Sequence, residues 1–241
     1  MYAGRTVALI VPALDEEEAL GPLLAAVERT VVDRLIVVDN GSTDGTADVA
    51  RRAGALVVSE PRRGYGRACL AGIAAAEGAE WLAFMDGDGS DDPTELPALL
   101  RRLEHGAELV VGSRVLGGAE RGALTPLQRF GNALTCTLVR AFWGVRFTDL
   151  GPFRAISAET LRGLEMRDPD YGWTIEMQVK AAQRGLRCEE VPVRCRVRRG
   201  GRSKVSGTVK GSLGAGRRIL GYVLSAKVAE WGSLPPSRRR S

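Results

Sequence analysis

The run Leu35-Ile36-Val37-Val38 carries no polar residue at either odd or even positions. A strand built from it is apolar on both faces, so it needs a sheet covered by helices on both sides. Strand-length runs recur at 6–11, 34–39, 55–59, 81–86 and 108–112, alternating with amphipathic segments near 16–29, 44–53, 66–77 and 94–104. That rhythm predicts an α/β fold, a doubly wound and mostly parallel sheet with helices on both faces. After residue 114 the rhythm changes to a long helix over 126–143, a Gly/Pro-interrupted segment at 147–154, a helix over 173–184 and a strand over 187–197. With no Pro/Ser/Gly linker before it, this half reads as an extension of the same domain, which the spacing carries over 1–207. A C-terminal amphipathic helix over 208–232 and a basic tail over 233–241 follow.

A chain of 241 residues, 44% hydrophobic and 26% charged, can bury one core and is neither disordered nor fibrous. No apolar run reaches the roughly 18 residues of a membrane span, and Met1-Tyr2-Ala3-Gly4-Arg5 shows no signal-peptide pattern, so a cytoplasmic protein is expected. Cys69, Cys136, Cys188 and Cys195 lack CxxC spacing, which argues against a zinc site or a disulfide framework. The net charge of +5 is concentrated after residue 194, a field suited to phosphates, anionic lipid headgroups or nucleic acid. Aromatic residues make up only 5% and form no platform interleaved with cations, so no nucleic-acid partner is expected. In 208–231, Leu213, Ile219, Leu220, Val223, Leu224 and Val228 alternate with Lys210, Arg217, Arg218 and Lys227. Such a helix either packs on the core or lies on an anionic membrane surface.

The first strand ends in Val11-Pro12-Ala13-Leu14-Asp15-Glu16-Glu17-Glu18. A dinucleotide-binding turn needs GxGxxG there to let backbone approach a pyrophosphate, and four acids would repel it. Asp15 or Glu16 can instead contact a base or ribose, or favour the start of the next helix. The second strand closes with Asp39-Asn40-Gly41-Ser42-Thr43-Asp44. Ligands of open α/β sheets bind beyond such carboxyl edges, which places Asp39 for a nucleoside; Ser42, Thr43 and Asp44 suit helix capping.

The strongest signal is Asp86-Gly87-Asp88 after the fourth strand. Two carboxylates projecting to one side repel each other unless a cation lies between them, and a hard divalent metal can also hold a diphosphate. An EF-hand is excluded because Asp91 and Pro97 stand where its Gly and bidentate Glu belong. Asp92-Pro93-x-Glu95 reads as an N-cap, a Pro at the first helical position and a capping Glu. His105, the sole histidine, falls at a helix end, so Ser-His and Cys-His nucleophiles lack a partner. Asp149 or Glu176 is left as a candidate base.

These motifs, with Arg63-Gly64-Tyr65-Gly66-x-Ala68, Gly112-Ser113-Arg114, Asp149-x-Gly151-x-Phe153-Arg154 and Arg198-x-x-Gly201-x-Ser203-Lys204, resemble family 2 glycosyltransferases of the dolichyl- and polyprenyl-phosphate sugar transferase branch. The resemblance spans residues 6 to about 207. It implies a GT-A fold with an acceptor-side extension, a UDP- or GDP-sugar donor, inversion at the anomeric carbon, and Mg²⁺ or Mn²⁺ held by Asp86 and Asp88. By the same resemblance Pro12, Glu16 and Asp39 line the nucleotide pocket, Arg198 and Lys204 approach the phosphates, and Arg114 with Arg129 holds an acceptor phosphate. With a polyprenyl phosphate no strong base is required, and Asp149 organises the site; with a hydroxyl acceptor it takes the proton. The enzyme would be cytoplasmic, peripheral at most on the inner face of the membrane. The rival readings are a sugar-phosphate nucleotidyltransferase, which normally has a Gly-rich basic loop where this chain has acids, and a non-catalytic nucleic-acid or membrane binder.

Overall fold

The computed structural model describes residues 1–198 and 209–233. The five apolar runs become β1 (Val7–Ala13), β2 (Arg34–Asp39), β3 (Leu56–Ser59), β4 (Trp81–Phe84) and β5 (Leu109–Ser113), with β6 (Arg154–Ser157) and β7 (Cys188–Pro192) completing one sheet. Its order is β3-β2-β1-β4-β6-β5-β7. Pairings β1/β2, β1/β4, β2/β3 and β5/β7 are parallel, and β6 alone runs against its neighbours β4 and β5. Sequence periodicity did not reveal β6, and it placed the last strand over 187–197, whereas β7 closes at Pro192.

Along β1 the side chains alternate between two cores, as the two-residue strand period demands. Val7, Leu9 and Val11 enter one with Leu20 and Leu24 of α1 (Glu17–Ala25), Ala50 of α2 (Thr46–Arg52) and Leu96, Leu99 and Leu100 of α4 (Leu96–Glu104). Ala8 and Ile10 enter the other with Ala68 and Cys69 of α3 (Tyr65–Ala75) and Trp173 and Met177 of α8 (Trp173–Gln183). Residues 114–117 form a single turn, α5 (Arg114–Gly117), and α7 (Ala158–Leu164) follows β6. α6 (Pro126–Trp143) covers the expected span because Thr125 and Gln128 form a reciprocal capping box and Gly144 ends it in the left-handed conformation.

α9 (Val209–Ser233) packs on α6 and α8, with Val223 buried and Ile219, Tyr222 and Ala226 against the second core. Among the described residues no helix is long and apolar enough to cross a membrane. Ser203, Lys204 and the tail from residue 234 lie outside the described residues.

Candidate active site

The carboxyl ends of β1, β2 and β4 open onto a cleft of about 540 Å³ lined by Pro12, Glu16, Asn40, Tyr65, Asp86, Asp88, Arg114 and Arg198, among others. Its floor follows β4, where Met85 and Gly87 donate to Ile10 O and Pro12 O at 3.2 and 3.3 Å and hold the Asp86–Asp88 turn beside β1. Asp86 and Asp88 therefore share the cleft. Asp86 Oδ1 is sealed from solvent with no hydrogen-bond partner. Burial, and then the charge of Asp88, push the Asp86 carboxyl up to about 6. Asp91 is buried beneath the turn, accepts from the Asp86 peptide N–H at 3.3 Å, and is raised well above the usual range by burial and then by Asp86 and Asp88.

The charges of Arg114 and Arg198 oppose the rise at Asp86, and Arg198 also bonds to Asp88. Arg198 donates from Nε to Asp88 Oδ2 at 3.1 Å and from Nη2 to Glu16 Oε1 at 2.7 Å. It arrives through the stretch after β7, where Cys195 N donates to Gly118 O at 3.1 Å and Arg196 N to Ser90 O at 2.8 Å. Gly117 is required on that path, because a Cβ there would strike the Val193 backbone. Asp92 caps the 3-10 turn at Pro93–Glu95 by accepting from Thr94 N at 3.2 Å, as its motif predicts. Glu95 differs from expectation: its carboxylate reaches across to Arg194 N and Nε at 3.0 and 3.1 Å instead of capping.

On the far wall Arg114 donates to Asp149 from its peptide N, Nε and Nη2, each at 2.8 Å, which leaves Nη1 outside the pair. Burial opposes the Arg114 charge, but the two-pronged bond to Asp149 outweighs it and holds the guanidinium above its ordinary range. Asp149 is 1% exposed, and its carbonyl accepts from Gln178 Nε2 at 2.9 Å. Glu176 lies elsewhere. It accepts from Asp168 N at 2.7 Å and pairs with Lys180 at 2.7 Å, bracing the 165–170 loop. Exposed His105 sits at the end of α4 and is absent from the cleft lining.

Asp15 and Asp39 are not among the cleft-lining residues. Asp15 Oδ1 accepts from Thr43 N at 2.7 Å, and Asp39 Oδ1 from Ser42 N at 2.9 Å, so each carboxylate fastens the loop between β2 and α2. None of the three caps α2, whose N-cap is Gly45 with no side-chain bond: Asp44 accepts from Thr46 N at 3.0 Å from one residue further out, and Ser42 and Thr43 bond across to Asp15. The neighbour Asn40 reaches the cleft, and its side chain ties Glu60 O, Arg62 O and Gly64 N together at 2.9, 2.9 and 2.8 Å. This sets Tyr65 in the wall. Gly66 is required behind it, since a Cβ would meet Asp168 O. Tyr65 and Asn40 stand in quoted motifs, yet only the folded 60–66 loop gives them a place at the site.

Paired carboxylates and an orphaned oxygen suit a hard divalent cation such as Mg²⁺ or Mn²⁺. Among the described residues no group of three or more His, Cys, Asp or Glu side chains is arranged to hold a metal. The profile of glycosyl transferase family 2 matches residues 8–203. The chain belongs to glycosyl transferase family 2. This family 2 glycosyltransferase has the GT-A fold and falls with the polyprenyl-phosphate sugar transferases. It is 41% identical over 212 residues to an uncharacterised glycosyltransferase of Mycobacterium tuberculosis, covering 88% of this chain and 94% of the relative. It is 31% identical to the undecaprenyl-phosphate mannosyltransferase of Micrococcus luteus, covering 84% and 88%, and 32% identical to the polyprenol monophosphomannose synthase of Mycolicibacterium smegmatis, covering 93% and 86%. Glucosyl-3-phosphoglycerate synthase of M. tuberculosis, solved with Mn²⁺, UDP-glucose and phosphoglyceric acid, superposes with a TM-score of 0.74 at 26% identity, over 94% of this chain and 81% of that one.

The raised Asp86 carboxyl makes the glycosyltransferase pay in stability for its site. Its folded value lies above the ordinary 3.8, so the stabilising proton is fully bound below about pH 4 and is lost as pH rises through about 6. Without metal, Asp86→Asn is expected to be more stable than the parent at pH 7 by on the order of 2 kcal/mol, with the gap closing toward pH 4. Thermal melts in EDTA across that range measure it. A variant less stable than the parent at pH 7 would contradict the burial argument.

Proposed function

We propose that the chain is an inverting hexosyltransferase that moves a sugar from a UDP- or GDP-linked donor to a polyprenyl phosphate, working peripherally at the cytoplasmic face of a membrane. The observation that carries this reading is the convergence of Asp86, Asp88 and Arg198 in one cleft that has Arg114 on its opposite wall. Pro12, Glu16 and the Asp15 and Asp39 loops form the donor-nucleotide side. Asp86 and Asp88 would hold a divalent ion, which would supply Lewis-acid stabilisation of the negative charge that builds on the departing diphosphate. Arg198 adds a fixed cation beside the same oxygens, and Lys204, outside the described residues, is assigned there by family resemblance.

The acceptor phosphate oxygen is already anionic at neutral pH and attacks without a base. Asp149 then serves as a positioning residue that aims Arg114, whose Nη1 is left for the incoming phosphate. Arg129, exposed on the first turn of α6, joins it from the solvent side. The names of the mannosyltransferase relatives support the acceptor class. The acids after β1 argue against triphosphate binding, and the family match favours transfer over a binding role.

UDP- and GDP-sugars incubated with Mn²⁺, the protein and polyprenyl phosphate test the proposal. The expected products are a nucleoside diphosphate and a glycosyl polyprenyl phosphate. Release of pyrophosphate, or donor turnover into another acceptor only, would overturn it.

A further inference from the structure

A second cavity, of about 550 Å³, adjoins the donor cleft and shares Arg114, Leu124 and Gln128 with it. One wall comes from α6. The opposite wall comes from Gly216, Ile219 and Leu220 of α9, a helix beyond the 8–203 segment that defines the family. The lining is apolar where Val115, Leu127, Ile219 and Leu220 stand, and polar toward Asn132, Thr148 and the Arg114–Asp149 pair. Its rim is apolar and wet at once. Val115 is 56% and Leu127 40% exposed, and Phe130, one turn along α6, is 66% exposed.

The same helix carries an uncovered apolar stripe. At 100° per residue, Leu220, Leu224, Val228 and Trp231 fall within about a quarter turn of one another. Leu224, Val228 and Trp231 are 51%, 68% and 57% exposed. The neighbouring arc is fixed to the protein: Val223 is buried, Trp143 Nε1 donates to Glu230 at 2.6 Å, and Lys227 Nζ donates to Phe142 O at 3.1 Å. The stripe therefore faces outward by construction. Leu220 belongs to both features, lining the cavity while continuing the stripe.

We propose that α9 rests on an anionic bilayer through Leu224, Val228 and Trp231, and that the cavity behind Leu220 takes the first isoprene units of a lipid phosphate entering from that bilayer, phosphate toward Arg114. The second half rests on the acceptor reading above. Charge selects a membrane over an uncharged apolar partner. Exposed Arg217 lies on the stripe side of α9, and exposed Arg129 lines the cavity beside Leu127. Cations flanking apolar side chains, with a tryptophan among them, are the chemistry of an interfacial helix on acidic lipid. The arrangement makes α9 a wall of the acceptor site as well as an anchor.

Flotation on phosphatidylglycerol vesicles and steady-state transfer test the two halves separately. A variant with Leu224→Glu, Val228→Glu and Trp231→Glu is expected to stop floating and to lose at least roughly tenfold in transfer to vesicle-embedded polyprenyl phosphate, a loss of about 1.4 kcal/mol. Its transfer to a short, water-soluble polyprenyl phosphate should stay unchanged. Leu220→Trp, which fills the cavity, should still float and keep the donor KM, yet raise the KM for the short acceptor roughly tenfold. A triple variant that floats like the parent overturns the bilayer contact. So does loss of a concentration-dependent dimer in that variant, which would make the stripe a contact between copies. An unchanged acceptor KM in Leu220→Trp overturns the slot. A parent protein that floats but glycosylates no polyprenyl phosphate removes the acceptor reading and the slot with it, and leaves the bilayer contact standing.

Discussion

Replacing Asp88 with alanine is expected to lower sugar transfer by at least about 10³-fold, the scale of losing a charge-stabilising group at a departing anion. The fold should survive it. The Asp88 side chain is 18% exposed, and its bonds are to Ser90 N at 2.9 Å and to Arg198 at 3.1 Å, neither of which holds up the core. Arg198 keeps its bond to Glu16 at 2.7 Å. Removing Asp88 also removes a like charge that helps to raise the Asp86 carboxyl, so the melting temperature should hold or rise. Transfer rate, Mn²⁺ titration and melting curves read the three expectations together. Asp88→Ala protein that transfers at more than about a tenth of the parental rate would end the assignment of a metal to this pair.

The contrast between Asp88 and its neighbours shows what a sequence can display. Asp86 and Asp88 stood out because two like charges so close need an explanation, and that physics survives folding. Asp15 and Asp39 read as nucleoside contacts from their places after β1 and β2, but a carboxylate beside a loop is also a ready acceptor for nearby amides, and in the fold the Ser42 and Thr43 amides donate to Asp39 and Asp15. Which partner wins depends on where two loops from different strands meet, a fact held by the fold and not by either motif. The strands followed the same logic. β1, β2, β4 and β5 announce themselves by being apolar on both faces. β6 does not, because its four residues begin with Arg154, a fully buried cation held by the carbonyls of Gly151 and Thr174 and placed 6.0 Å from the Trp173 ring centroid. A charged residue reads as loop until its distant acceptors are known. α9 was legible as amphipathic, and its dual character, half docked and half exposed, emerges only from contact with Trp143 and Phe142.

Arg114 is where stability and function are expected to separate. Asp149 is 1% exposed, and its carboxylate is bonded to Arg114 on both oxygens. Arg114→Ala leaves that charge buried without a cation, at a cost of about 3–5 kcal/mol. For a chain of this length the melting point should fall by roughly 10 °C. Asp149→Asn keeps the shape but loosens the guanidinium. If Asp149 positions Arg114, the acceptor KM rises and the pH–rate profile keeps its form; if it removes a proton, the ascending limb of that profile disappears. The double replacement Arg114→Met with Asp149→Leu removes both charges together, since apolar residues of similar volume can replace a buried ion pair with little loss. It should recover most of the stability lost in Arg114→Ala while remaining inactive. Recovery of transfer along with the fold would show that the pair serves only to hold the β5–α5 turn, and that the acceptor phosphate is bound elsewhere.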